Sequence, residues 1–434
     1  MSSQQVSSLL LALALISLLA YAAGSLARRL GQPPVIGEVL LGVLLGPTLF
    51  NGAISNILLP NDIRPFLTAL ANIGVALFMF GIGAEVDARL LHGRRVIAGA
   101  VASGSIALPF ALGAALALFL INDHPTGNRT GFILFMGAAM SVTAFPVLAR
   151  ILTDRGMNRT WLGTVALACA AIDDVLAWTL LAVVVAIIGV GTGSQWHLLL
   201  FIPYLIIMVA VVRPVLRRLL EDRRVLASTR SAALVTTLVG LMVSAAFTEW
   251  IGLHFIFGAF LFGAIMPRDA VRTLRAGITP AVTASVTAKI SQLNGVLLLP
   301  IFFIIAGLKV DLSGMNGRDV VELLLILVVA VGGKFLGAFI AAGLTGMRNR
   351  PASALAILMN TRGLTELVIL SVGLQLGVLD GRLYSDMVVM ALVTTAMAGP
   401  LLQLIYPMRA AEIEPVPTGT AETIPHTERP TVTP

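Results

Sequence analysis

FMFGIGAEVDARL at 78–90 and FFIIAGLKVDLSG at 302–314 are two copies of one pattern. Asp87 aligns with Asp311 at an offset of 224. The same offset carries Gly93-Arg94 onto Gly317-Arg318, and Leu112-Gly113-Ala114 onto Leu336-Gly337-Ala338. Upstream of each copy lies a second pair, Gly37–Gly42 ending at Gly46-Pro47 and Gly258–Gly263 ending at Pro267. Single glycine matches are weak, but one constant offset across two apolar runs and a loop marks an internal repeat. Counted along the apolar runs, the copies stand seven spans apart, and seven is odd. The second copy therefore enters the membrane from the opposite side. Inverted repeats of this kind build transporters that alternate access around a midplane site. The chain reads as six spans, a linker span and six inverted spans.

Composition supports that reading. The 434 residues are 57% apolar and 12% charged, about half the charged share of a soluble domain. Cys169 is the sole cysteine, so a disulfide scaffold is excluded. High hydrophobicity excludes disorder of the body. Thirteen apolar stretches are expected, at about 6–27, 34–50, 65–83, 95–121, 130–151, 162–189, 196–219, 230–249, 252–266, 291–308, 319–344, 352–377 and 384–407. The first is too long for a cleavable signal peptide, and MSSQQ before it lacks positive charge. The net charge of +7 comes mostly from arginines in the loops after odd-numbered spans, such as Arg28, Arg94, Arg95, Arg155, Arg223, Arg224, Arg268 and Arg348. Those loops should face the cytoplasm, with the N-terminus outside and the C-terminus inside. The excess is topological and implies no nucleic-acid partner. Residues 412–434, rich in Pro and Thr, are expected to form a disordered cytoplasmic tail.

Ionisable groups within the bilayer are costly, so each one is a functional candidate. The sharpest are Asp173 and Asp174 in AAIDDVLAW (170–178), mid-span in the sixth stretch. Adjacent residues point about 100° apart on a helix, so one can face a cavity and the other a partner. Their mutual repulsion favours a group that can hold a proton near neutral pH. Lys334 in GGKFLGAFIAAG is the candidate partner, and its repeat mate is the uncharged Phe110. An ammonium can give up its proton when desolvated, whereas a guanidinium cannot. Lys334 therefore reads either as a titrating group or as a permanent counter-ion. Lys309 aligns with Glu85 and reads as interfacial; Lys289 reads as a surface charge.

Two spans look broken. The fifth carries Pro146 near its centre, in SVTAFPVLARIL, where the missing N–H and the ring interrupt a helix. The twelfth carries Asn360, Thr361, Arg362, Gly363 and Glu366 in LMNTRGLTELVIL. They occupy corresponding positions in the two repeats, and such pairs mark the ion site. Thr143 can offer an oxygen to a cation. Arg362 and Glu366, four apart, can pair on one helix face as a structural link. Cys169 reads as a packing residue. Glu38 reads either as a hydrogen-bonding group or as part of a cytoplasmic funnel. The five histidines are scattered and suggest no metal site, and no phosphate loop or other cofactor motif occurs.

The segments PPVIGEVLLGVLLGP, SVTAFPVLARIL, AAIDDVLAW, LPIFFIIAGLKVDL, GGKFLGAFIAA and MNTRGLTELVIL resemble the bacterial monovalent cation:proton antiporters. The similarity is to the branch that includes bacterial sodium/proton antiporters, potassium-efflux antiporters and plant cation/proton exchangers. It covers Val6 to about Tyr406. It implies the sodium/proton antiporter fold: all-α, with crossed broken helices, in residues 1–411. The implied division is a dimerisation part at about 6–83 and 230–308, a linker helix at about 196–219 and a moving core at about 95–189 and 319–407. A non-enzymatic homodimer in the bacterial inner membrane is implied, exchanging Na⁺ or K⁺ for H⁺ by an elevator-type motion. Asp174 would carry the cation in competition with protons, and Asp173 would pair with Lys334. Family members with two aspartates and a lysine tend to be electrogenic. Thr143-Ala144-Phe145-Pro146 lacks the acid found at this place in the electroneutral branch, so their cation selectivity does not carry over.

Other classes fit less well. An intramembrane aspartyl protease needs its two aspartates on different helices. A potassium channel needs a filter of backbone carbonyls, and no such loop is visible. A sodium-coupled solute symporter shares inverted repeats and broken helices, but a double aspartate with Lys334 points to proton coupling.

Overall fold

The computed structural model describes residues 2–49, 52–85, 95–124, 126–157, 160–189, 200–221, 230–267 and 288–406. The tail 412–434, Asp87, residues 196–199 of the linker stretch, and loop arginines such as Arg94, Arg223, Arg224 and Arg268 lie outside these residues.

The described residues are all helical, without strands. The helices are α1 (Ser3–Arg29), α2 (Pro34–Leu45), α3 (Ala53–Leu58), α4 (Arg64–Glu85), α5 (Arg95–Leu120), α6 (Arg129–Ser141), α7 (Phe145–Asp154) and α8 (Trp161–Gly189). Then come α9 (201–221, with a π-helical turn at Met208–Val212), α10 (Arg230–Trp250), α11 (Phe255–Ile265) and α12 (Ala288–Leu308). The last are α13 (Gly317–Leu344), α14 (Asn349–Met359), α15 (Leu364–Gln375) and α16 (Gly381–Ile405). Each of the thirteen expected stretches holds a described helix. Among the described residues, nine spans are long and apolar enough to cross a membrane, and the bent pair α14–α15 makes a tenth. The six-residue α3 was not expected; it sits in the loop between the second and third stretches.

Polar residues set the helix ends. Ser2 and Gln5 form a capping box at the start of α1, and Asn316 and Asp319 form another at the start of α13. Asn128 and Asp380 cap α6 and α16 through backbone N–H groups of Gly131 and Leu383.

In lipid, helices gain little from hydrophobicity when they meet, so close packing at small residues takes over. The repeat reappears in these contacts. Gly42 of α2 lies against Gly307 of α12, where an added Cβ would stand 2.5 Å from the Ile304 carbonyl. Their repeat mates meet the same way: Gly263 of α11 lies against α4, and Gly83 against α11. The inverted halves therefore use the same glycine seam twice. In the other half of each repeat, Gly104 of α5 faces Gly337 of α13, and an added Cβ would stand 2.6 Å from the Gly337 carbonyl oxygen. That approach sets α13, and with it Lys334, directly beside α5.

Candidate functional site

The two broken spans are broken in different ways. α6 ends at Ser141 and α7 begins at Phe145, with Val142–Ala144 extended between them. The fifth span is interrupted as the sequence suggested, but the break lies just before Pro146 rather than at it. Pro146 occupies the second position of α7, where a missing N–H costs nothing. In the twelfth span, α14 and α15 meet at a 45° bend around Asn360–Gly363. The unwound segments cross and hold each other. The Ala144 N–H donates to the Thr361 carbonyl at 2.9 Å, and the Thr143 hydroxyl donates to the Met359 carbonyl at 2.8 Å. Gly363 makes the crossing possible, since a Cβ there would stand 2.4 Å from Val147 Cγ2.

A break leaves orphan carbonyls and a negative dipole end at the C-terminus of each half-helix. Here two buried cations answer those of α6. Arg362 donates to the carbonyls of Ala139 at 2.9 Å and Met140 at 2.7 Å. Lys334 Nζ donates to the carbonyl of Ser141. Arg362 also donates to Glu366 Oε2 at 3.0 Å, the i,i+4 pair expected from the sequence. Thr395 of α16 closes the arrangement by donating to the Arg362 carbonyl at 2.6 Å.

Lys334 is fully buried, and its second partner is Asp173 Oδ2 at 2.8 Å. Ser105 of α5 donates to Asp173 Oδ1 at 3.2 Å. Asp174 is 1% exposed and follows Asp173 on α8, so it points about a quarter-turn away. One end of the lysine is thus shared between a carboxylate on α8 and the broken end of α6. Four elements converge there: α5, α6, α8 and α13. The Asn360 side-chain oxygen is buried at the crossing and has no hydrogen-bond partner among the described residues. Ser105, Thr395 and the three α6 carbonyls were not singled out from sequence. Ser105 could have been, as a polar residue inside the apolar run of α5. Backbone carbonyls leave no sequence trace.

Other candidates fall elsewhere. Lys309 ends α12 and lines a small cleft of about 30 Å³ together with Asn72, His254 and Gln375, so it faces this cleft rather than only the interface. His254 contacts Gln375 at 3.2 Å across this cleft, linking the N-terminus of α11 to the end of α15. Cys169 is buried. Among the described residues, no group of His, Cys, Asp and Glu could hold a metal ion.

An inverted repeat whose broken helices cross beside a buried lysine–aspartate pair has the architecture of a secondary ion transporter. The sodium proton antiporter MjNhaP1 of Methanocaldococcus jannaschii has the same fold. The alignment has a TM-score of 0.67 at 14% identity and covers 94% of this chain and 99% of that one. The family described as "Sodium/hydrogen exchanger, transmembrane" matches residues 13–406, and the chain belongs to that family. The Na(+)/H(+) antiporter NhaS4 of Synechocystis sp. is 38% identical over 396 residues, 89% of this chain and 94% of that protein. The K(+)/H(+) antiporter 1 of Saccharomyces cerevisiae is 34% identical over 394 residues, 87% of this chain but 44% of that protein.

Proposed function

We propose that the protein exchanges a monovalent cation, Na⁺ or K⁺, for protons across a bacterial inner membrane. The observation that carries this reading is the fully buried Lys334–Asp173 pair, set beside Asp174 and the broken end of α6. A buried charge pair is expensive to desolvate and is weak support for stability. It is well suited to competition. A cation arriving at the two carboxylates displaces the ammonium from Asp173, and the displaced lysine can release its proton. Asp174 carries the cation in one half-cycle and a proton in the other. Asn360 and Thr143 offer oxygens at the same crossing. Two protons against one cation make the exchange electrogenic. The relatives' names support both Na⁺ and K⁺ as candidate ions.

The core, at about 95–189 and 319–407, slides against a dimerisation part at about 6–83 and 230–308, with 196–219 as linker. Two copies associate through the dimerisation part. The arginine-rich loops face the cytoplasm, which puts the N-terminus outside.

The test is dye-reported ΔpH in proteoliposomes, with Na⁺, Li⁺, K⁺ and Rb⁺ added in turn. Asp174→Asn abolishes the response to every cation, and transport that persists sinks the assignment. Lys334→Gln is followed with an imposed membrane potential. Wild-type exchange is accelerated by potential and the variant is not; a potential-blind wild type rules out the two-proton cycle.

A further inference from the structure

Ionisable side chains gather a second time, at the N-terminal end of α13. Glu322 lies twelve residues before Lys334, about 18 Å along the helix. His124, in the loop joining α5 to α6, is 2% exposed and sits between two carboxylates. Its Nε2 is 2.6 Å from Glu322 Oε1, and its Nδ1 is 2.7 Å from Asp380 Oδ2. Asp380 caps α16 with its other oxygen. One imidazole therefore ties the α5–α6 loop to the ends of both α13 and α16.

The surrounding charges are mostly acidic. Asp123 beside His124 pairs with Arg318 at 2.6 Å. Asp319 pairs with Arg382 at 3.1 Å. Asp386, a turn into α16, is 2% exposed, and its Oδ2 has no hydrogen-bond partner among the described residues. It lies within electrostatic reach of Glu322, Asp319, His124 and Arg382. Inside the Asp123–Arg318 pair, four acidic groups thus face only two cations, Arg382 and His124, among the described residues.

Carboxylates accept hydrogen bonds and do not donate them, so a ring held at both nitrogens must supply two N–H groups. Only the imidazolium has two. Losing its proton would turn one nitrogen lone pair toward a carboxylate at hydrogen-bond distance. It would also leave four acidic groups facing a single arginine. The contact must then open.

We propose that His124, Glu322 and Asp380 form a proton-operated clasp that holds this end of the core shut and slows exchange until alkaline conditions release it. The proposal rests on the exchange reading for its transport consequence, but not for the clasp itself. Burial opposes the charge on His124, but hydrogen bonds to Asp380 and Glu322 outweigh it and push its pKa up to about 9. The folded value lies above the unfolded one of about 6.5. The clasp is therefore fully formed below about pH 6.5 and is lost as pH rises through the folded value.

Two measurements test it on the full-length protein. Hydrogen exchange is followed from pH 7 to 10 and corrected for intrinsic rates. Amides in 121–124 and 380–384 of the wild type should lose about tenfold protection around pH 9, and Glu322→Gln should move that midpoint down by about one unit. Protection that is flat with pH overturns the clasp, whether or not any variant folds. In proteoliposomes, His124→Gln, uncharged at every pH, should exchange about threefold faster than wild type at pH 7 and equally fast at pH 9.5. A constant ratio overturns the control of transport. Absence of exchange in the wild type would count against the proposed function and leave the hydrogen-exchange result to decide the clasp.

Discussion

At the residue scale, the crossing contains two cations with different duties. Arg362 holds a permanent charge, forks onto two carbonyls of α6 and keeps Glu366 neutralised. Lys334 makes two hydrogen bonds among the described residues, one of them with the Asp173 carboxylate that the proposed exchange also offers to a cation. The permanent cation mends the break, and in the proposed exchange the lysine is the one that titrates. Arg362→Gln strands Glu366 and two buried carbonyls, so it should cost about 3–5 kcal/mol of stability. Arg362→Gln/Glu366→Gln should recover part of that loss. Thermal unfolding of the two detergent-solubilised variants against wild type is the measurement. A double variant no better than the single one would mean that the pair is not what Arg362 stabilises. Both residues were visible in the sequence, and their i,i+4 spacing gave the pairing. The carbonyls that Arg362 serves were not visible, because backbone groups become orphans only once a helix stops.

At the element scale, the Asp173–Lys334 distance depends on how closely α5 and α13 approach. Gly104 and Gly337 set that approach, and there is no space for a side chain between them. Gly337→Leu should push the helices apart at a cost of about 1–3 kcal/mol, and should weaken exchange by drawing Lys334 away from α8. Gly332, on the same helix, has nothing within 4 Å of its would-be Cβ. Gly332→Ala should therefore stay within about 0.5 kcal/mol of wild type. Unfolding temperature and ΔpH activity of the two variants separate a packing effect from a general intolerance of α13 to substitution. The repeat offset announced Gly113 and Gly337 as mates. It did not announce that Gly337 would pack on Gly104, because the offset relates copies and does not say which elements touch.

At the scale of the whole molecule, the proposed sliding of the core requires contacts between the two parts to break. His254 and Gln375 face each other across the cleft between α11 and α15 at 3.2 Å. In a Cys169→Ala background, His254→Cys and Gln375→Cys joined by a short reversible bifunctional thiol reagent should stop most exchange. Reduction should restore it. Flux that survives complete cross-linking would show that these two parts need not move relative to each other.

The sequence by itself determined the helical class, the inverted repeat, the two broken spans and the three mid-span charges Asp173, Asp174 and Lys334 on other helices. These follow from apolar run length, a constant offset and the cost of a charge in lipid, all of which act along the chain. The tertiary structure decided which groups those charges meet. It put Lys334 on Asp173 and on the broken end of α6, and Thr143 on α14 rather than only toward a cation. It also brought His124 between two carboxylates 198 and 256 residues away. A histidine in a loop reads as unremarkable until folding brings acceptors to both of its nitrogens. Pairing across such separations is set by helix packing, which no local pattern encodes.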